Sequence, residues 1–176
     1  MIKSSDEKGQ SLVEFALTFP LFFLLILMIF DFAYLNYQMI YFNTALRNAS
    51  WKVSEPNAEE RAQYAYSRYH IPKWKARYLL EEALKEELGS HQDDSDFVVE
   101  YADIYVYGSR VSKRYYDPYY REYYRPMYAS QYEISAKVSY RAKSLTPVGR
   151  FLYPEGLVIH KEIYKLRQGG SRGATY

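Results

Sequence analysis

The apolar positions of this chain are concentrated near its N-terminus, and the remaining sequence is mixed or polar. Between Lys8 and Arg47 only Glu14 and Asp31 carry a charge. The 24 residues from Leu12 to Leu35 would extend roughly 36 Å as a helix, whereas the hydrocarbon core of a bilayer is about 30 Å thick. The pattern therefore predicts one transmembrane helix, in a chain of 176 residues that is long enough for one domain.

Apolar residues continue at helical spacing beyond this membrane-length run. The stripe consists of Leu35, Met39, Phe42, Leu46 and Ala49. Pro20 removes one backbone donor inside the helix, so we expect a bend near it. A single helix from Ser11 to about Val53 would be roughly 65 Å long. We therefore assign residues 10–53 to a transmembrane and spine helix.

Two shorter helices are predicted after the spine. Asn57 and Glu60 have the spacing of a capping box, which begins a helix that we expect to run to about His70. Pro72 suits the first turn of the next helix, and Gly89 suits its C-terminal end. The apolar side chains of this second helix fall on one face, which we expect to pack on a sheet.

Strand patterns fill the C-terminal half. Residues 132–142 alternate between apolar and polar side chains without a break, which is typical of a strand with one solvated face. Residues 97–107 and 157–166 are two further candidates. The prediction is an α+β fold in which the long N-terminal helix is followed by a head at 54–168, with one or two helices packed on an antiparallel sheet of about three strands. The polar, glycine-rich residues 169–176 predict a disordered tail.

Composition and motifs argue against catalysis and against cofactor binding. The chain has no cysteine and hence no disulfide framework or thiol chemistry. His70, His91 and His160 have none of the spacings of a zinc site. The segment HQDDSDF lacks the glycine and the terminal glutamate of a calcium loop and indicates a solvated turn. We find no nucleophile elbow, phosphate-binding glycine loop or paired carboxylates, and predict no enzyme, metal or cofactor.

Tyrosine is unusually frequent, at 22 of 176 residues. Six tyrosines form pairs in the segment YYDPYYREYYRP: Tyr115, Tyr116, Tyr119, Tyr120, Tyr123 and Tyr124. One interpretation is a protein-contact loop, because tyrosine supplies large contact area at low entropic cost. Another is an inter-strand loop that folds back on its own sheet. Interleaved arginines would also allow stacking on single-stranded nucleic acid, but the small net charge of +2 argues against nucleic acid as a partner.

The apolar segment has the features of a retained anchor rather than of a cleaved secretory signal. It is longer than the usual apolar region of a signal peptide, and no small-x-small site follows it closely. Lys3 and Lys8 precede it, whereas the nearest bases beyond it are Arg47 and Lys52. This distribution favours a cytoplasmic N-terminus and an extracytoplasmic head.

Glu14 is the unusual residue of the apolar segment. A charge at the centre of a transmembrane helix costs roughly 2.5–3.5 kcal/mol on insertion scales and usually has a function. Glu14 and Asp31 lie about 25 Å apart along a helix, so each could instead sit near one headgroup layer without a specific role. Residue pattern alone leaves both interpretations of Glu14 open.

The stretch GQSLVEFALTFPLFFLLIL, residues 9–27, resembles the start of TadE-like proteins, the minor pseudopilins of tight-adherence (Flp-type) pilus systems, and more broadly the type IV prepilins. The resemblance extends over residues 8–35 and, more loosely, to the segment SLTPVG. It implies a leader at 1–9 that a membrane prepilin peptidase removes between Gly9 and Gln10. Glu14 then becomes the fifth residue of the mature chain. The proline at position 20 also fits the TadE-like form.

The resemblance further implies what Glu14 does. Cleavage creates an ammonium group on Gln10, and in the family the glutamate pairs with this group on a neighbouring subunit during fibre assembly. An apolar helix holds a paired carboxylate more easily than a lone one. Asp31, at the far end of the same helix, faces no such created charge and is expected to serve as the control. The implied partners are the membrane, the peptidase, other pilins or pseudopilins and the assembly platform of a bacterial inner membrane.

Departures from the family pattern leave alternatives open. The leader contains Asp6 and Glu7, so it is less basic than most leaders of the family. The residue pair Glu14-Phe15 and a head of about 120 residues favour a minor component over the small main pilin. The first alternative is an unprocessed, single-pass adhesin or envelope scaffold that keeps its leader. The second is an exported enzyme on a membrane stalk, which would need a clustered polar site in the head.

Overall fold

A computed structural model describes the backbone of residues 3–65, 68–89, 96–119 and 121–173, and the side chains of 10–63, 68–89, 96–109, 114, 118–119 and 129–169. Four helices and four strands lie in these ranges. In chain order they are α1 (Lys3–Lys52), α2 (Pro56–Ala65), β1 (Arg68–Ile71), α3 (Lys73–Leu88), β2 (Phe97–Asp117), β3 (Arg121–Ala142), α4 (Pro147–Leu152) and β4 (Leu157–Gly173).

The chain forms two compact units. The first unit contains Met1–Tyr41 and Arg141–Ile159, and the second contains Phe42–Tyr140 and His160–Tyr176. The predicted α+β class is confirmed: a long apolar helix precedes a head in which helices accompany an antiparallel sheet. The predicted spine at 10–53 corresponds to α1, whose last residue is Lys52.

The sheet has four strands, in the order β1-β2-β3-β4, rather than about three. The strand missed by the sequence analysis is β1, which pairs antiparallel with β2 from Arg68↔Tyr107 to Ile71↔Ile104. The prediction that the first short helix reaches His70 is therefore wrong, since α2 ends at Ala65. Four residues are too few for an alternating pattern to be recognised.

The strands β2 and β3 are much longer than the sequence analysis predicted. They form one antiparallel hairpin whose ladder continues to Asp117↔Arg121. Since β1 pairs with β2 only as far as Tyr107, the β2 side of the hairpin continues ten residues beyond that pairing. The polar, tyrosine-rich sequence of this extension does not alternate cleanly, which is why the prediction ended at residue 107.

The core of the second unit lies between the helices and one face of the sheet. The predicted apolar face of α3 is buried and packs on β2. Its buried residues are Ala76, Leu80, Ala83, Leu84 and Leu88, whereas Leu79 of the same predicted face is half-exposed. Helix α2 packs on β2 at Gly108, where a Cβ atom would lie 2.8 Å from the backbone nitrogen of Gln63. Glycine therefore permits the close approach of the two elements.

The C-terminal residues differ from the predicted disordered tail. Strand β4 begins at Leu157 and continues to Gly173, so residues 169–173 are part of the sheet. Residues 174–176 lie outside the described part of the chain. Burial on β4 alternates between exposed and half-exposed side chains up to Gly169. This alternation matches the strand predicted at 157–166.

Candidate functional site

Among the described residues of the first unit, the N-terminal part of α1 has no packing partner. Every side chain from Gln10 to Leu25 is exposed, although most of them are apolar. The rings of Phe15 and Phe19 lie 5.5 Å apart and those of Phe19 and Phe23 lie 6.4 Å apart along the helix surface. The helix is long and apolar enough to cross a membrane. An exposed apolar surface of this size marks a site for lipid or for other helices.

Glu14 lies on this exposed surface, one helical turn after Gln10. The side-chain amide of Gln10 donates a hydrogen bond to Glu14 Oε1 at 3.1 Å. The hydroxyl of Thr18 donates to the backbone carbonyl of Glu14 at 2.7 Å. Among the described residues, no cation forms an ion pair with the Glu14 carboxylate. The Glu14 carboxylate therefore lies at the start of the apolar segment, where its charge is available to a further partner.

The other predicted residues of this segment also lie within α1. Gly9 precedes Gln10 in the helix, and its surroundings are outside the described side chains. Pro20 lies in the helix interior. Cleavage after Gly9, the role of Glu14 and the bend at Pro20 stay predictions.

Asp31, the expected control position, occupies a built polar site. The residue is 5% exposed. Oδ1 accepts hydrogen bonds from the backbone N–H groups of Leu145 at 2.9 Å and Thr146 at 2.8 Å, and Oδ2 accepts from the Thr146 hydroxyl. The same hydroxyl accepts from the N–H of Gly149 at 3.2 Å and caps α4. One carboxylate thus holds the start of α4 against α1.

A second polar side chain binds the same segment two turns further along α1. The amide of Gln38 donates to the carbonyl of Lys143 at 2.8 Å and accepts from its N–H at 3.1 Å. Gly149 permits the close packing at Asp31, because a Cβ atom there would lie 2.5 Å from Asp31 Cγ and 2.8 Å from Ser144 Cβ. Asp31 and Gln38 together fix the backbone of residues 143–146 to the helix.

An apolar groove adjoins this attachment. It has a volume of about 270 Å³. On α1 it is lined by Met28, Asp31, Phe32, Leu35, Asn36 and Met39, and on the other side by Gly149, Leu152, Tyr153 and Leu157. The groove belongs entirely to the first unit. Its lining is mostly apolar, so it suits hydrocarbon better than a polar ligand.

In the second unit, a buried tyrosine joins α2, β3 and β4. The Tyr132 hydroxyl donates to Glu59 Oε1 at 2.7 Å and accepts from the N–H of Glu55 at 2.9 Å. Burial and the Glu59 carboxylate raise the pKa of Tyr132. The guanidinium of Arg167 lies 4.4 Å from the centre of the Tyr132 ring and donates to the carbonyl of Val53. Burial lowers the pKa of Arg167. These contacts are structural and stabilise the fold around the end of α1.

Glu133 connects all four strands of the sheet. On β3, it accepts hydrogen bonds from the hydroxyl of Tyr107 on β2 and, at 3.0 Å, from that of Tyr164 on β4. Arg68 on β1 lies 3.8 Å from the carboxylate. The hydrogen bond from Tyr107 and the bond from Tyr164 outweigh partial burial and lower the pKa of Glu133. The residue therefore stabilises the sheet in its charged form.

The tyrosine-rich segment forms the end of the β2–β3 hairpin. Its backbone is paired as Tyr115↔Tyr123 and Tyr116↔Glu122, and Tyr119 in the turn is 91% exposed. The side chains of Tyr115, Tyr116, Tyr123 and Tyr124 and the whole of Tyr120 lie outside the described residues. A protein-contact role for this segment stays a prediction.

The described residues contain no group of three or more His, Asp or Glu side chains that could hold a metal ion. Of the predicted site residues, the structure places Gln10 and Glu14 together, at one end of an exposed apolar helix. The functional arrangement that the sequence analysis missed is the attachment of Asp31 to residues 145–146. The resemblance of SLTPVG to the family was the available signal, but it did not indicate a partner.

Comparison with known proteins gives one finding for the N-terminal part. Residues 9–51 match the family described as TadE-like protein. No curated protein and no solved structure matches the chain. The matched range contains Gly9, Glu14, Pro20 and Asp31, and corresponds to most of α1. Residues 9–51 are therefore similar to the TadE-like family, as the resemblance of the opening sequence indicated.

Proposed function

We propose that this chain is a minor pseudopilin, a pilus assembly protein of a tight-adherence (Flp-type) pilus or a related secretion fibre. A prepilin peptidase removes residues 1–9, and the helix anchors the protein in the bacterial inner membrane with its head outside the cytoplasm. The observation that carries this proposal is the exposed apolar surface of α1, with one acidic side chain at its start, inside the TadE-like range.

The exposed apolar surface of α1 suits a subunit that moves from a lipid bilayer into a fibre. Burial of apolar surface is worth about 25 cal/mol per Å², so the side chains from Leu12 to Phe30 require lipid or neighbouring helices. A bilayer satisfies them before assembly, and a bundle of helices in a fibre satisfies them afterwards. A helix that served only as a soluble spacer would not expose so many large apolar residues.

Cleavage would give Glu14 a cationic partner. The new ammonium would be the backbone nitrogen of Gln10, whose side chain already lies 3.1 Å from Glu14. Both groups are therefore near the same turn of the helix, at about the same membrane depth. A neighbouring subunit docked at matching depth would present its own ammonium to this carboxylate. Pairing would relieve the cost of an isolated charge beside hydrocarbon, because a paired carboxylate is held there more easily than a lone one.

The head supports a minor role rather than that of a main fibre subunit. It carries a four-stranded sheet, and β2 and β3 extend as a hairpin beyond the strand pairing of β1. An extended two-stranded hairpin with an exposed tyrosine in its turn suits contact with partner proteins. The hairpin would serve this purpose in a pseudopilin and in an anchored adhesin alike.

The N-terminal mass of the mature protein tests the proposal. Protein purified from cells with an active prepilin peptidase should begin at Gln10, and a bulky replacement of Gly9 should leave the leader attached. A matched control is Gln10→Asn, which keeps the small residue before the cut and should be processed. Wild-type protein that still begins at Met1 would support the unprocessed anchor instead.

A further inference from the structure

The segment that Asp31 and Gln38 hold against α1 exposes an unusual number of apolar side chains. Six residues between positions 145 and 158 are large, apolar and exposed: Leu145, Phe151, Leu152, Tyr153, Leu157 and Val158. Phe151 is 85% exposed. The groove beside Met28 and Leu35 opens next to Leu152 and Tyr153. These residues form a patch that is left uncovered by the part of the first unit that the structure describes.

The patch lies at a defined level of the apolar helix. Asp31 is the first buried side chain after Gln10 in the described chain. The 19 residues from Leu12 to Phe30 would span about 28 Å, close to the roughly 30 Å of a hydrocarbon core. If these residues cross the bilayer, Asp31 and the start of α4 lie at its head-side edge.

We propose that residues 145–153 form an interfacial foot, which rests in the head-side leaflet of the membrane. The side chains of Phe151 and Leu152 enter the acyl region, and Arg150 lies among the lipid phosphates. Aromatic and aliphatic residues beside basic ones are the composition of a membrane interface. Residues 141–159 carry three cations, Arg141, Lys143 and Arg150, against the single acid Glu155.

A bilayer is the occupant that the surroundings favour. The patch is continuous with the exposed, membrane-length surface of α1 in the same unit. The three cations complement anionic headgroups, which attract basic residues within about a Debye length of the surface. A protein partner would have to cover the patch at the level where headgroups already surround the helix.

The foot would give the helix a fixed depth. A single apolar helix can slide or tilt in a bilayer, whereas a second contact beside it limits both motions. Asp31 transmits this restraint because it joins α1 to the start of α4 through three hydrogen bonds. This inference rests on the membrane insertion proposed above.

Spin labels on single cysteines test the foot in the full chain, which contains no cysteine of its own. The protein is reconstituted in vesicles of phosphatidylethanolamine and anionic phosphatidylglycerol. Labels are placed by Leu21→Cys, Phe151→Cys and Tyr37→Cys, three exposed positions in the first unit. Collision rates are measured with oxygen, which concentrates in lipid, and with a water-soluble nickel chelate. Tyr37 lies about 9 Å beyond Asp31 along the helix and reports the aqueous side.

The ratio of oxygen to nickel collisions at position 151 should fall between those at positions 21 and 37, and clearly above that at 37. A label at Leu152→Cys should give the same result independently. A ratio at 151 and 152 equal to that at 37, with position 21 still in lipid, would overturn the foot while leaving the anchor intact. An aqueous ratio at position 21 would overturn membrane insertion and the foot together.

Discussion

The carboxylate of Asp31 on α1 accepts hydrogen bonds from both the backbone N–H and the hydroxyl of Thr146, a residue 115 positions later in the sequence. The hydroxyl in turn caps α4 through the N–H of Gly149. The charge of Asp31 within an apolar helix is thus explained by hydrogen bonds that join distant parts of the chain. Asp31 and Glu14 have different surroundings, since Glu14 is exposed and Asp31 is enclosed.

Asp31→Ala should lower the stability of the first unit. The change leaves the N–H groups of Leu145 and Thr146 without their acceptor, and a buried unsatisfied group costs about 1–3 kcal/mol. Thermal unfolding in detergent should show a reduced midpoint. Asn36→Ala is the matched control, because the half-exposed Asn36 side chain donates to the carbonyl of Phe32 in its own helix. Equal midpoints for Asp31→Ala and wild type would contradict a structural role for Asp31.

Serine replacements of the tyrosines at the end of the β2–β3 hairpin should weaken pilus assembly or adhesion. The backbone ladder persists without these side chains, so the unfolding midpoint should change little. Tyr119→Ser is the simplest single variant, since its side chain is almost fully exposed. Tyr132→Phe is the contrasting variant, because the buried hydroxyl it removes bonds Glu59 and Glu55. Loss of the fold in the hairpin variants would identify the tyrosines as core residues.

Acid should destabilise the sheet through Glu133. The hydrogen bond from Tyr107, followed by that from Tyr164, lowers the pKa of Glu133 below its ordinary value of 4.5. A carboxyl group with a lowered pKa stabilises the fold above its unfolded pKa, and this contribution is lost as the pH falls through the folded value. Unfolding midpoints measured between neutral pH and the region below 4.5 should therefore decline.

Glu133→Gln separates this contribution from general acid effects. The variant should be less stable at neutral pH, and its stability should fall less steeply on acidification. Glu82→Gln is the control, as an exposed carboxylate on α3. Parallel pH profiles for Glu133→Gln and wild type would show that Glu133 does not carry the effect.

Sequence patterns predicted the elements whose signals are local. The apolar run predicted α1, and the positions of Pro72 and Gly89 predicted the bounds of α3 closely, because start and stop residues act within one turn. Strand β1 was missed because four residues show no clear period. The hairpin extension was missed because its sequence is polar and rich in tyrosine, and only cross-strand pairing reveals it.

The sequence likewise predicted the candidate site only where the residues that form it are close together along the chain. Gln10 and Glu14 are four residues apart, so helical spacing alone places them on one face. The attachment of Asp31 to Thr146 joins residues 115 positions apart, and no periodicity in one sequence indicates such a contact. The carboxylate of Glu133 likewise gathers partners from three other strands, which only the sheet order brings together.

The most direct test of the central claim, assembly through Glu14, is pilus formation in a Glu14→Gln strain. The variant removes the charge and keeps the shape. If the carboxylate pairs with a neighbouring Gln10 ammonium, the change leaves that ammonium unmatched. Loss of one partner of a buried pair costs about 3–5 kcal/mol, and less at headgroup level. Even about 1.4 kcal/mol corresponds to a tenfold change in an association constant.

The assay scores three quantities in the same cells: leader removal by mass, membrane insertion by fractionation, and piliation or co-assembly with other pilins. Thr18→Val is the control one turn further along the helix, since within the described residues its hydroxyl bonds only the carbonyl of Glu14. The account predicts normal cleavage and insertion with reduced piliation for Glu14→Gln, and normal piliation for Thr18→Val. Normal piliation in the Glu14→Gln strain would contradict it.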